Sequence, residues 1–262
     1  MDNIYNKIIE LQKAGRDAIL CTVVSTKGST PLKEGAKMLV IDDGTTYGTV
    51  GGGKVEKETI ESAQKSLKTY STELIKIDLL SSEGTSCGGK VDVFLEPVNK
   101  NFRLYIFGAG HVGRALAGIV SELDFDITII DDREGIFSDW DENSFKKITM
   151  SFEEYSNIMQ FDERIFITIL TYDHKIDWEI LSHCSEKPWH YLGMMGSKSK
   201  VKSMKNSLAA KGISEKIIDR IDMPIGMEIH AETAFEIAVS IAANLITEKN
   251  ILSKKLCENM TG

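Results

Sequence analysis

The chain has 262 residues, 42% of them hydrophobic, enough to bury one large core or two modest ones. Its 31 basic and 39 acidic side chains leave a net charge of −8, which argues against nonspecific binding to nucleic acid or to an anionic membrane. No apolar run approaches the ~18 residues of a membrane span, and the opening residues lack a signal-peptide pattern, so a cytoplasmic setting is expected.

Taken in chain order, Ile4, Ile8 and Leu11 recur at helical spacing and predict an amphipathic helix over 3–14. A strand over 18–24 leads into a Gly/Ser/Thr/Pro-rich loop over 25–35. Two short strands, about 36–41 and 45–50, flank the turn signal Asp42-Asp43-Gly44. Gly51, Gly52 and Gly53 then break the sheet pattern ahead of a helix over 54–67. Strands over 74–79 and 91–96 enclose a polar loop holding Cys87, Gly88 and Gly89. Residues 1–99 therefore read as a small α+β domain.

After a polar joint at 97–101, strands and helices alternate. A strand ends at Phe107, a helix covers 111–122 and a strand covers 126–131. The segment 133–164 carries no clear period. Then come a strand over 165–170, a helix over 176–186, a strand over 189–193, and helices over 197–211 and 232–248. Such alternation predicts a Rossmann-like parallel sheet with helices on both faces, filling residues 100–262.

Chemistry concentrates at the glycine turns. Gly108-Ala109-Gly110-His111-Val112-Gly113 joins strand to helix, the setting in which this spacing cradles a nucleotide phosphate. Asp131 closes the next strand, 23 positions after Gly108, where an acidic ribose ligand is expected. His111 either lines this pocket or points outward. His174 and Asp177 follow the 165–170 strand and form a candidate acid–base or hydrogen-bonding pair, unless they merely start a helix. Gly196 and Ser197, with Lys198 and Lys200, offer a second anion site at a helix start. Gly51, Gly52 and Gly53 offer a third, or a plain hairpin exit. Of the four cysteines, all expected to be reduced thiols, Cys87 is the reactive candidate because its glycine-rich loop exposes backbone amides. Cys21 reads as core, and Cys184 and Cys257 lie in helical context without a partner pattern.

Together these residues resemble the XdhC/CoxI family of molybdoenzyme maturation factors. The resemblance rests on an ordered set across both domains. In the first it comprises Ser29-Thr-Pro31, Gly35-Ala-Lys-Met38, Gly51-Gly-Gly-Lys-Val-Glu56, Cys87-Gly-Gly89 and Glu96-Pro97. In the second it comprises the 108–113 turn, His174 with Asp177, Gly193-Met-Met-Gly-Ser197, Pro224-Ile-Gly226 and Glu236-Ile-Ala-Val-Ser240. It implies a chaperone that binds molybdenum cofactor, a molybdopterin with or without an attached nucleotide, as a homodimer. It also implies that a cysteine desulfurase supplies sulfur to the held cofactor, which then passes to an apo-xanthine dehydrogenase. Cys87 would be the thiol nearest the metal, a soft ligand suited to molybdenum. Leu32 stands where members commonly carry Arg, Ala234-Phe235 where they carry Pro-Glu, and Asn244 where they frequently carry Glu.

The leading expectation is a cofactor carrier without turnover of its own. The competing classes are an NAD(P)-dependent oxidoreductase, with His111 or His174 as acid–base group and NAD as cofactor, and a nucleotide-sensing regulatory protein.

Overall fold

In a computed structural model the described residues are 3–28, 33–79, 89–98, 102–140, 145–159 and 161–258, without the side chains of Lys13, Cys257 and Glu258. The chain divides into two compact units, residues 1–100 with 255–262, and residues 101–254.

The first unit opens with α1 (Ile4–Lys13), followed by β1 (Ala18–Lys27), β2 (Lys37–Ile41) and β3 (Thr46–Gly48). Then come α2 (Gly53–Thr69), β4 (Glu73–Asp78) and β5 (Lys90–Pro97). The strands form an antiparallel sheet in the order β3-β2-β1-β5-β4. The first part of strand β1, Ala18 to Val23, is largely apolar and buried because it is covered on both faces. Ile19, Cys21 and Val23 pack with Val55 and Ala63 of α2, whereas Ala18 and Leu20 pack with Leu11 of α1. Burial without a charged partner pushes the Cys21 thiol up to about 12, which makes it an inert core residue.

Helix α2 buries two hydroxyls, Thr59 (0% exposed) and Ser66 (2%), that have no hydrogen-bond partner. A buried, unmet hydroxyl costs about 1–3 kcal/mol. Thr59→Val keeps the shape and removes the polar atom. It is expected to raise stability by about 1 kcal/mol, seen as a higher urea midpoint, and a lower midpoint would show that the hydroxyl is satisfied.

The second unit contains β6 (Arg103–Phe107), α3 (His111–Val120), β7 (Asp126–Asp131), β8 (Lys146–Thr149) and α4 (Phe152–Ile158). It continues with β9 (Ile165–Ile169), α5 (His174–Cys184), β10 (Tyr191–Met194), α6 (Lys198–Lys211), α7 (Glu215–Ile218) and α8 (Ala234–Glu258). Its sheet is wholly parallel, in the order β10-β9-β6-β7-β8. The chain builds outward from β6 through β7 to β8, then crosses back to β9 and β10. The order therefore reverses between β6 and β9, which is the point where such sheets open a ligand crevice.

Helices cover both faces, as the alternating pattern predicts. Phe107, Ile167 and Ile169 pack with Phe152 of α4, Leu181 and Cys184 of α5, and Met204 and Leu208 of α6. On the other face, Gly113 of α3 lies over Ile106, and Lys249 of α8 sits 5.8 Å from the Phe125 ring centroid.

Some elements depart from the periodicity. The patternless segment 133–164 holds β8, an edge strand whose sequence Lys-Lys-Ile-Thr has no buried residue, and the seven-residue α4. Helix α4 is set by its N-cap Ser151 rather than by an apolar stripe. The Ser151 hydroxyl accepts from the Glu154 amide (3.2 Å) and donates to its carboxylate (2.8 Å). Helix α5 begins two residues before the expected 176, because Asp173 caps it by accepting from the Lys175 amide at 2.6 Å. The last helix runs ten residues beyond the expected 248.

Candidate functional site

The turn after β6 is shaped by the protein's own backbone at two of its three glycines. Gly108 sits at φ 111°, and a Cβ there would lie 2.7 Å from the Leu170 carbonyl carbon and 3.0 Å from the Thr171 nitrogen. A Cβ at Gly113 would overlap the Gly108 carbonyl oxygen, so α3 can approach β6 only because the residue is glycine. Gly110 differs. It has an ordinary negative φ as the N-cap of α3, and a Cβ there meets nothing within 4 Å. Gly110 is thus the glycine of the motif beside which space is left open, and the α3 N-terminus carries no side-chain cap. His111 opens α3 and is exposed.

Asp131 does not have the role expected of it. The carboxylate is completely buried and both its oxygens are taken. Oδ2 accepts from the Ala109 amide (2.7 Å) and from Arg133 Nη2 (2.9 Å), while Oδ1 accepts from Arg133 Nε (2.8 Å) and from the Arg133 amide (3.1 Å). It pins the glycine turn to the end of β7 instead of facing a ribose. Burial alone would raise its pKa, but Arg133 and the two amides outweigh that and hold the carboxyl below its ordinary value. The open edge of the crevice belongs to residues that no motif marks. Arg133 lies 4.9 Å from the Tyr172 ring centroid, and the Tyr172 hydroxyl donates to Asp132 at 2.9 Å. In the sequence, the second acid of Asp131-Asp132 is their only visible signal.

The carboxyl ends of β9 and β10 hold the next group. His174 and Asp177 do not act as a pair: His174 is exposed at the first turn of α5, whereas Asp177 is 1% exposed. Asp177 accepts from the Thr171 hydroxyl (2.6 Å) and forms an ion pair with Lys200, which also donates to the Met195 carbonyl (3.0 Å). Lys200, expected as an anion contact, thereby ties α6 to α5 and neutralises a buried acid. Ser197 caps α6 as its position predicts, accepting from the Lys200 amide at 3.3 Å.

Beside this group lies a cavity of about 680 Å³. Its lining brings together His174, the turn at Met195, Gly196 and Ser197, the segment 224–231, and Ile237 and Ser240 of α8. The 224–231 segment is positioned from beneath by Asp222, whose Oδ2 accepts from the Gly226 amide (2.9 Å), the Tyr191 hydroxyl (2.5 Å) and the Asn244 side-chain amide (2.8 Å). Gly226, at φ 95°, packs so closely on α8 that a Cβ would lie 2.5 Å from Ser240 Oγ.

In the first unit Gly51, Gly52 and Gly53 all have positive φ (133°, 72° and 54°), and Gly52 caps α2 without a side-chain hydrogen bond. A Cβ at Gly52 or Gly53 meets nothing within 4 Å, so this helix start faces open space. Cys87 and Gly88 lie outside the described residues, as does Leu32. Gly89 is buried, and its carbonyl accepts from the Leu79 amide at 2.8 Å where β4 and β5 close on the loop. Cys184 is buried, with its thiol pushed up to about 12.

A parallel five-stranded sheet with a glycine turn at its switch point, preceded by an antiparallel α+β unit, defines a two-part Rossmann-type protein. The chain belongs to the XdhC family: residues 104–245, more than half of it, match the XdhC Rossmann domain, and residues 11–78 match the XdhC and CoxI family. Among curated relatives, the "Uncharacterized protein YqeB" of Escherichia coli (strain K12) is 33% identical over 254 residues, covering 95% of this chain and 46% of that protein. The chain thus spans about half the length of that relative. A probable xanthine dehydrogenase subunit from Bacillus subtilis (strain 168) is 21% identical over 337 residues, covering 96% of this chain and 99% of its own length. The crystal structure of a xanthine dehydrogenase from Bacillus halodurans is 22% identical, covers 93% of this chain and 94% of that one, and superposes with a TM-score of 0.48.

Proposed function

We propose that this protein is an accessory factor of a xanthine dehydrogenase-type molybdenum hydroxylase, holding molybdenum cofactor for sulfuration and delivering it to the apoenzyme. Membership of the XdhC family through both of its parts, in order along the chain, is the observation that carries the reading. A relative that spans the full chain and is named for a xanthine dehydrogenase supports it. In this role a cysteine desulfurase supplies sulfur, the protein works as a homodimer, and Cys87 is the thiol nearest the metal.

The geometry supports a carrier over a dehydrogenase. An NAD-dependent reaction needs a carboxylate free to accept from the ribose diol, and Asp131 is fully engaged by Ala109 and Arg133. Among the described residues, His174 has no acidic partner to tune it, because Asp177 is committed to Lys200.

The test is purification from a molybdenum-replete host followed by pterin and metal analysis. Wild type is expected to retain molybdopterin, and Cys87→Ala is expected to lose at least tenfold of the bound molybdenum while folding normally. Wild type that never retains the cofactor would overturn the reading.

A further inference from the structure

We propose that the exposed side of α8 is a docking surface for a second copy of this chain, with the two α8 helices antiparallel about a two-fold axis near Ala243. The helix carries two apolar sides, and its own unit buries one of them. Ala238, Ile241 and Leu245 are fully buried, whereas Phe235, Val239 and Ile246 are 60%, 41% and 37% exposed. At ~100° per residue the three exposed side chains, with Ala243 and Asn250, fall within about 80° of arc, well apart from the buried side. Single exposed apolar residues are ordinary, but a line of them along one side of a helix marks a surface that association covers.

The order of charge along the helix selects the occupant. Glu232 and Glu236 are exposed at its start, and Lys254 is exposed near its far end. In an antiparallel pair centred near Ala243, Val239 meets Ile246 of the partner subunit, and Glu232 lies beside Lys254 of the partner subunit. Glu236 follows about one turn away from that lysine. Symmetry makes each contact twice. A parallel pair would set acid on acid and lysine on lysine, which like-charge repulsion disfavours. A basic partner helix would match the acidic start of α8 but not its lysine end, whereas a second copy matches both. Ala243, small and half-buried at the crossing, lets the helix axes approach to the ~8–10 Å of packed helices. The seam is about 30 Å long.

This interface deepens the carrier reading, which calls for a homodimer and names no surface for it. Its purpose rests on that reading, and its existence does not.

Sedimentation of the full chain over a concentration series is the test. Wild type is expected to dimerise at micromolar concentration. Val239→Asp and Ile246→Asp each place a charge in the apolar line and are expected to weaken the dimer at least about tenfold, with unchanged circular dichroism. Lys254→Glu is expected to weaken it about tenfold, and Lys254→Glu combined with Glu232→Lys to recover to within about threefold of wild type. Ile158→Asp, on an exposed site of α4, serves as the unaffected control. Wild type that stays monomeric up to about 100 μM overturns the interface. A dimer that survives both aspartate variants gives this side of α8 to another occupant and overturns it equally. A reversed charge pair that fails to recover overturns the antiparallel arrangement. Monomeric wild type that retains molybdopterin would keep the carrier role and remove the interface. A dimer with these sensitivities that never retains the cofactor would keep the interface and remove the carrier reading.

Discussion

Gly113→Ala is expected to destabilise the second unit by about 3 kcal/mol, the upper end of what one overpacked methyl costs. The added methyl would sit on the Gly108 carbonyl oxygen, and neither partner can yield, because one is the first turn of α3 and the other the end of β6. A loss of this size is a large share of the ~5–15 kcal/mol that holds a typical domain together. Urea unfolding followed by the fluorescence of Trp140, Trp178 and Trp189, all in this unit, measures it. Gly110→Leu is the matching contrast. Its backbone is unstrained and its Cβ enters open space, so the unfolding midpoint should stay within about 0.5 kcal/mol of wild type. Equal stability losses at 110 and 113 would show that the open space beside the turn is misplaced.

Asp131→Asn is expected to cost about 3 kcal/mol at neutral pH, comparable to breaking a buried ion pair. The amide cannot accept from Ala109 and grip Arg133 through both oxygens at once. The pH dependence carries a definite sign. The folded carboxyl holds its proton less tightly than the unfolded one, so its stabilisation is complete above the ordinary carboxylate value and is lost as pH falls through the lower folded value. The gap between wild type and variant should be constant from pH 7 to 5 and narrow progressively below about pH 4. Unfolding midpoints across that series provide the measurement. A gap unchanged into acid would assign the effect to shape rather than to charge.

The contrast between these residues shows how far the sequence could be read. The strands other than β8 were legible because they carry apolar runs or alternation bounded by turn residues, whereas β8 buries no residue, and Ser197 was legible as a cap because capping depends on near neighbours alone. Asp131 was placed correctly at the end of β7, yet its role depends on Arg133 curling back to it and on the Ala109 amide arriving from 22 positions away. Spacing along the chain does not encode which way a carboxylate turns. Pro224-Ile-Gly226 stands out in the sequence, but the place of the 224–231 segment beside Ser197 is set by Asp222 and by packing on α8, both of them tertiary facts. Likewise the buried Asp177–Lys200 pair joins two helices, so each residue read alone looked like a solvent-facing functional group.

The Asp222 cluster bears on how variants of this chain should be interpreted. Asn244 donates a proton-bearing amide to a carboxylate that Tyr191 and Gly226 also grip. A glutamate at 244 would set a second acid against the first in a half-buried space. The same replacement is therefore damaging or harmless according to what stands at 222, an interaction that two contacting sites commonly express as about 0.5–3 kcal/mol of non-additivity. A mutational library scored one position at a time would misjudge both.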